Sequence, residues 1–206
     1  MKDNPQIWKN FIVLEGLDGS GTTTQLKKLE AAAAARGIPF HATWEPTDNP
    51  VGRLIRRVLR KEEQVAPETL ARLFSTDRFE HLFAPETGIK ARLERGELVV
   101  SDRYLFSSLA YQSLGCGFDT VLGLNDFPLP EKLFFIDVPW QVCRDRRHQR
   151  DMEELFEGSP IQEKISDNYE RALKLFSPAG MKIYRVDGTG PEDEVFESIA
   201  ALLFPG

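Results

Sequence analysis

Cysteine and histidine are scarce in this chain, and long apolar runs are missing. Among 206 residues there are two cysteines, Cys116 and Cys143, and three histidines, His41, His81 and His148. Two isolated thiols exclude a disulfide framework, and neither they nor the scattered histidines have the spacing of a zinc site. No apolar run approaches the roughly 18 residues that a membrane-spanning helix needs. The opening MKDNPQIWKN has no hydrophobic core of the signal-peptide kind, so a cytoplasmic location with no membrane partner is expected. An excess of positive charge is also missing. Lys and Arg number 26 against 32 Asp and Glu, a net charge of −6. That balance argues against nucleic acid as a partner, because tracking phosphates needs a basic surface. It leaves room for small anions held by a local basic cluster.

What remains is ordinary globular material. The hydrophobic share is 41%, and the length suits a single domain over residues 1–206. Short apolar runs alternate with helical stretches. Phe11–Glu15, Phe40–Trp44, Glu97–Ser101, Lys132–Val138 and Lys182–Asp187 read as strands, each bounded by turn residues. Helices are expected over Thr22–Arg36, Val51–Arg60, Pro67–His81, Tyr104–Leu114, Trp140–Gln149 and Pro191–Leu203. The stretch GCGFDTVLGLNDFPLP reads as an irregular insert, rich in Gly and Pro. Strands separated by helices predict an α/β fold with a five-stranded parallel sheet covered on both faces.

The first strand runs into GLDGSGTT, from Gly16 to Thr23. This fits the phosphate-loop frame G-x-x-x-x-G-K-[ST] at every fixed place except one, where Thr22 replaces lysine. Such a loop turns backbone N–H groups onto phosphate oxygens, and the helix behind it adds its positive end. The loop candidates for ATP are Gly16, Leu17, Asp18, Gly19, Ser20, Gly21, Thr22, Thr23 and Thr24. Taken alone, the motif is also compatible with a plain strand–turn–helix bend. Asp18 inside the loop would repel a phosphate if it faced one, so it must face another group, such as a sugar hydroxyl or a water on Mg²⁺. The third strand ends at Asp102 and Arg103. In open α/β sheets ligands bind beyond the carboxyl ends of strands. There a carboxylate can hold Mg²⁺ and a guanidinium can grip phosphate. By itself such an Asp–Arg pair is more often a salt bridge.

Five segments together resemble the thymidylate kinase family. SDRYLFSSLAYQ is similar to its signature D-R-Y-x-x-S-S-x-A-Y-Q, and EGLDGSGTTTQ to its phosphate loop. WEPTDNPVGRLIR, RLFSTDRFEH and FIDVPWQVCRDRRHQR are similar to its second-strand, third-helix and lid-entry segments, in the family's order. The resemblance implies a P-loop NTPase-type three-layer sandwich, a homodimer, and transfer of the γ-phosphoryl group of ATP to dTMP with Mg²⁺. By the same resemblance Phe74 stacks on thymine, Arg78 meets the base carbonyl and Ser108 faces the pyrimidine edge. Tyr111, with Gln112 beside it, crowds the sugar against a 2′-hydroxyl. Asp18 receives the 3′-hydroxyl, and Arg103 grips the dTMP phosphate. Thr23 and Asp102 serve the metal. A lid spans about 144–158, with Arg146 near the adenine and Arg150 reaching the phosphates, so the expected catalytic arginines are Arg103, Arg146 and Arg150.

Three positions depart from the family pattern: Thr22 for the loop lysine, Leu155 for a lid arginine, and Trp44 where arginine is common. The first two remove positive charge from the ATP phosphates, and Arg146, Arg147 and Arg150 are the available replacements. Two rival readings follow. One is a non-catalytic nucleotide-binding homologue that has lost the lysine. The other is a deoxynucleoside kinase with Glu45 as the base that activates a sugar hydroxyl.

Overall fold

The computed structural model describes residues 5–148 and 159–204. Five parallel strands form one sheet in the order β2-β3-β1-β4-β5. They are β1 (Ile7–Gly16), β2 (Phe40–Trp44), β3 (Leu98–Asp102), β4 (Leu129–Asp137) and β5 (Lys182–Asp187). The expected fold class is therefore the observed one. In β1, Phe11, Ile12, Val13 and Leu14 are all essentially inaccessible to solvent. A continuous apolar run is what a strand covered on both faces requires, and each such side chain contributes roughly 1.5–3 kcal/mol of burial.

β1 is longer than its apolar run. Ile7 and Trp8 pair with Leu129 and Pro130, and the register then shifts before Ile12. Asn10 sits in that irregularity at φ 60°, a conformation asparagine tolerates better than most residues. Its N–H donates to Glu131 Oε2 at 2.8 Å. This pairing also draws the start of β4 back to Leu129.

The helices are α1 (Thr22–Ala35), α2 (Pro50–Leu59), α3 (Pro67–Phe83), α4 (Ile89–Glu94), α5 (Leu105–Tyr111), α6 (Ser113–Cys116), α7 (Phe118–Gly123), α8 (Trp140–His148), α9 (Ser159–Phe176) and α10 (Glu192–Leu203). The insert expected to be irregular is half helical. Gly117 at φ 82° separates α6 from α7, and Phe118 and Val121 of α7 join the core. Two helices go beyond the expected set, α4 and α9. In α9 the buried Ile165, Tyr169, Ala172, Leu173 and Phe176 repeat at helical spacing, a signal the sequence does carry.

A second apolar cluster of Ile55, Val58 and Leu70 lies between α2 and α3, with Phe74 packed against it. The carboxyl ends of β1, β2 and β3 lie side by side, with Leu14 opposite Asp102 and Asp102 opposite Trp44. That edge carries the site.

Candidate active site

The phosphate loop has the geometry its glycines permit. Gly19 and Gly21 adopt φ 93° and 103°, values that a side chain would resist. Gly21 is also the residue before α1, and no side chain caps that helix end. The first-turn N–H groups at Thr22, Thr23 and Thr24 are thus left without a side-chain cap, as an anion at that helix end requires. Leu17 and Thr22 are buried, so Leu17 offers the crevice only its backbone. The Thr22 side chain packs inward, with nothing like the reach or charge of lysine.

Thr23 and Asp102, both expected to serve the metal, lie side by side. Thr23 Oγ1 donates to Asp102 Oδ2 at 2.5 Å. Asp102 Oδ1 is buried and has no hydrogen-bond partner among the described residues. A hydroxyl beside a carboxylate with an uncommitted oxygen is a hard-oxygen donor set that suits Mg²⁺, which completes its shell with phosphate oxygens and water.

Arg103 leaves β3 at φ 74°, a left-handed conformation that costs a residue with a Cβ about 1–2 kcal/mol. Its Nη2 pairs with Asp18 Oδ1. Burial would lower its pKa, and the facing Asp18 carboxylate outweighs that, so the guanidinium stays charged. Asp18 N–H in turn donates to Tyr111 Oη at 3.0 Å. The carboxylate of Asp18 thus pairs with an arginine.

Arg103, Asp18 and Tyr111 line a cleft of roughly 600 Å³, counted to its open mouth, together with Phe74, Arg78, Ser108 and Gln112. All seven positions expected to touch the acceptor therefore converge on one space. Phe74 reaches it from α3 and Arg103 from the turn after β3. Ser108 and Tyr111 reach it from α5, and Gln112 from the turn just beyond.

Arg78 is fully buried, which only a paired cation tolerates. Its Nε and Nη2 donate to Glu45 Oε2 at 2.9 and 2.6 Å. Nη2 also donates to Ser108 Oγ at 3.0 Å, and Nη1 donates to Asn125 Oδ1. Its guanidinium lies 5.1 Å from the Tyr104 ring centre. Of the five N–H bonds of a guanidinium, one is left for a ligand by these contacts. Burial would raise the Glu45 pKa, but the Arg78 charge and the His81 contact at 3.1 Å hold it below the usual carboxylate range. A carboxylate so held is a poor general base, which counts against the nucleoside kinase reading of Glu45.

Asn125, Ser107, Glu15 and Tyr169 are site components whose part the sequence did not disclose, and Glu45, singled out there only as a rival reading's base, is the partner of Arg78. Glu15 lies under the loop, where its carboxylate accepts from Tyr104 N–H at 2.9 Å and from Ser107 Oγ at 2.6 Å. Burial pushes its pKa up to about 7 against the pull of Arg103 and its hydrogen-bond donors.

At the other end of the crevice, Arg146 donates to the carbonyls of Ser20 at 3.5 Å and Gly188 at 2.9 Å. It ties α8 to the loop and to the turn after β5, and its charge is directed at two backbone carbonyls. Arg150 and Leu155 lie outside the described residues, as does most of the expected lid, and the side chain of Arg147 is not described.

A sequence profile of the thymidylate kinase family matches residues 14–199. The chain belongs to the thymidylate kinase family. A Treponema pallidum protein with a provisional thymidylate kinase name is 41% identical over 198 residues, covering 94% of each chain. An Aeropyrum pernix protein named in the same way is 40% identical over 180 residues, 86% of this chain and 85% of the relative. A Thermococcus kodakarensis protein named a probable thymidylate kinase is 37% identical over 207 residues, 94% of this chain and 96% of the relative. Membership in the family agrees with the order of the five matching segments and with the parallel sheet.

Proposed function

We propose that this chain transfers the γ-phosphoryl group of ATP to dTMP, giving dTDP and ADP. The observation that carries the reading is the cleft at the end of the phosphate loop, lined by all seven acceptor candidates. ATP lies on the loop from Gly16 to Thr24, its phosphates on the amides at the start of α1. Thr23 and Asp102 hold Mg²⁺, which when bound neutralises charge on the phosphates. dTMP lies with its base over Phe74. A stacking contact of this kind is worth about 1–3 kcal/mol.

The one free N–H of Arg78 meets the 4-carbonyl of thymine. Cytosine would present an amino group there, two donors face to face, and a buried mismatch of that kind discriminates strongly. Tyr111 closes the space beside the sugar, and Asp18 receives the 3′-hydroxyl. Arg103 grips the acceptor phosphate. That phosphate is already anionic, so the step is a direct displacement by its oxygen and needs no added base. Positioning and charge are the whole of the protein's contribution, and Arg146 and Arg150 are proposed for the donor side.

The proposed protein is a single cytoplasmic domain that works as a homodimer. Phe79 on the outer face of α3 is 57% exposed beside Phe83, an apolar spot consistent with a partner. No helix among the described residues is long and apolar enough to cross a membrane.

A coupled assay of ADP release, run with dTMP and with thymidine, tests the reading. Release with dTMP alone supports it. Release with thymidine alone would establish a nucleoside kinase. Binding of dTMP with no release would establish the non-catalytic reading, which Thr22 in the lysine place favours.

A further inference from the structure

Arg103 is held from behind by a residue that the proposed chemistry does not use. Its strained backbone is pinned twice, by its N–H on the Leu14 carbonyl at 2.9 Å and by Ser101 Oγ on its own carbonyl at 2.8 Å. Its side chain then has two sets of partners. Nη2 faces the cleft and pairs with Asp18. Nη1 faces inward and lies 3.2 Å from the Gly16 carbonyl, 3.1 Å from Ser107 Oγ and 3.3 Å from Tyr169 Oη.

Tyr169 belongs to α9 and is completely buried. Its hydroxyl lies 3.0 Å from Glu15 Oε2, 3.1 Å from the Gly16 carbonyl and 2.9 Å from Ser107 Oγ. A phenol has a single proton. The strongest acceptor in reach is the Glu15 carboxylate, so donation to Glu15 leaves the oxygen lone pairs turned to Arg103. The ring is fixed by Phe135 and Tyr111, at 5.3 and 6.1 Å between ring centres. The hydroxyl therefore has little freedom to leave this spot.

We propose that Tyr169 is a positioning residue for the acceptor phosphate, holding Arg103 so that its guanidinium stays divided between the inner carbonyl and hydroxyl groups and the cleft. This rests on the reading of Arg103 as the grip on that phosphate. Tyr169 does not itself line the cleft, whereas Asp18, Arg103 and Ser107 do, so it acts through Arg103. With the phenol oxygen gone, the guanidinium loses an inner anchor and collapses onto Asp18. That pairing withdraws both groups from the acceptor at once.

The test is calorimetric titration, at pH 8 where Glu15 is ionised, of dTMP and of thymidine into the native chain, Tyr169→Phe, Arg103→Ala and the double variant. The native chain is expected to bind dTMP at least about tenfold more tightly than thymidine, the smaller effect of a charged hydrogen bond. Tyr169→Phe should shrink that ratio about fivefold and leave thymidine affinity within about twofold. The double variant should bind dTMP no more weakly than Arg103→Ala, because both changes remove one contact.

An unchanged ratio in Tyr169→Phe would overturn the proposal. An equal loss for both ligands would do so too, since that is the mark of general loosening. If Tyr169→Phe melts below the assay temperature, Glu15→Gln provides the same reading. It keeps the phenol and removes the charge that orders its proton, and an unchanged ratio there also overturns the proposal. A native chain that does not prefer dTMP over thymidine defeats the functional reading first, before any variant is made, and the inference with it.

Discussion

The two ends of the crevice treat their polar groups differently. At the acceptor end Arg78, Glu45, Ser108 and Asn125 satisfy one another inside the fold. At the donor end the buried Ser20 Oγ and Asp102 Oδ1 have no hydrogen-bond partner among the described residues, and Thr22 adds no charge. A group already held in place costs little to use when ligand arrives. The acceptor end is thus largely built by the protein itself, while on the proposed reading the donor end would draw its charge from Mg²⁺ and arginines. This contrast fits a chain that carries all seven acceptor candidates and departs from the family pattern at the phosphate loop.

The largest test of that contrast is Arg103→Ala. On the proposed reading its guanidinium grips the acceptor phosphate where charge develops, so kcat/KM for dTMP should fall by about 10²–10³. A rate within about twofold of native would reduce Arg103 to a salt-bridge partner.

Next comes stability. Glu45→Ala strands the buried Arg78 charge and should cost about 3–5 kcal/mol in urea unfolding. Ser20→Ala removes a hydroxyl with no partner and should leave stability unchanged or raise it by about 1 kcal/mol. Equal losses would erase the distinction between the two ends.

Substrate choice follows. If Tyr111 lies beside the sugar and Phe74 under the base, as proposed, dTMP should be preferred over UMP by at least about tenfold in kcat/KM. Equal use of the two would remove Tyr111 from its proposed place.

The smallest effect concerns pH. The Glu15 pKa is raised in the fold from the usual 4.5 to about 7. Its contribution to stability is therefore complete below about 4.5 and is lost as pH rises through 7. Melting temperature against pH should carry a downward component across that window in the native chain, and Glu15→Gln should flatten it. Identical pH profiles would show that Glu15 does not titrate there.

The seven acceptor candidates were legible through the family resemblance: six fall in two short segments, 74–78 and 102–112, and Asp18 lies in the phosphate loop. Their partners were not. Glu45 meets Arg78 across 33 positions, Asn125 meets it across 47, and Tyr169 meets Glu15 across 154. No local spacing encodes such a pairing; only the packed sheet brings the groups together. The departure at Thr22 was equally plain in the sequence. Its consequence was not, because the burial of Thr22 and the engagement of Arg146 with backbone carbonyls are properties of the fold. The insert after α5 misled because Gly117 and Gly123 look like loop residues, whereas one separates two short helices and the other ends the second.

The contrast between the ends is tested most directly by the initial rates of dTDP formation in the native chain and in Thr22→Lys, with each substrate varied against saturation of the other. Lysine would restore charge at the β- and γ-phosphates, so kcat should rise about tenfold or more while KM for dTMP stays within about twofold. A shift in KM for dTMP with kcat unmoved would contradict the account, because it would place the effect of residue 22 at the acceptor end.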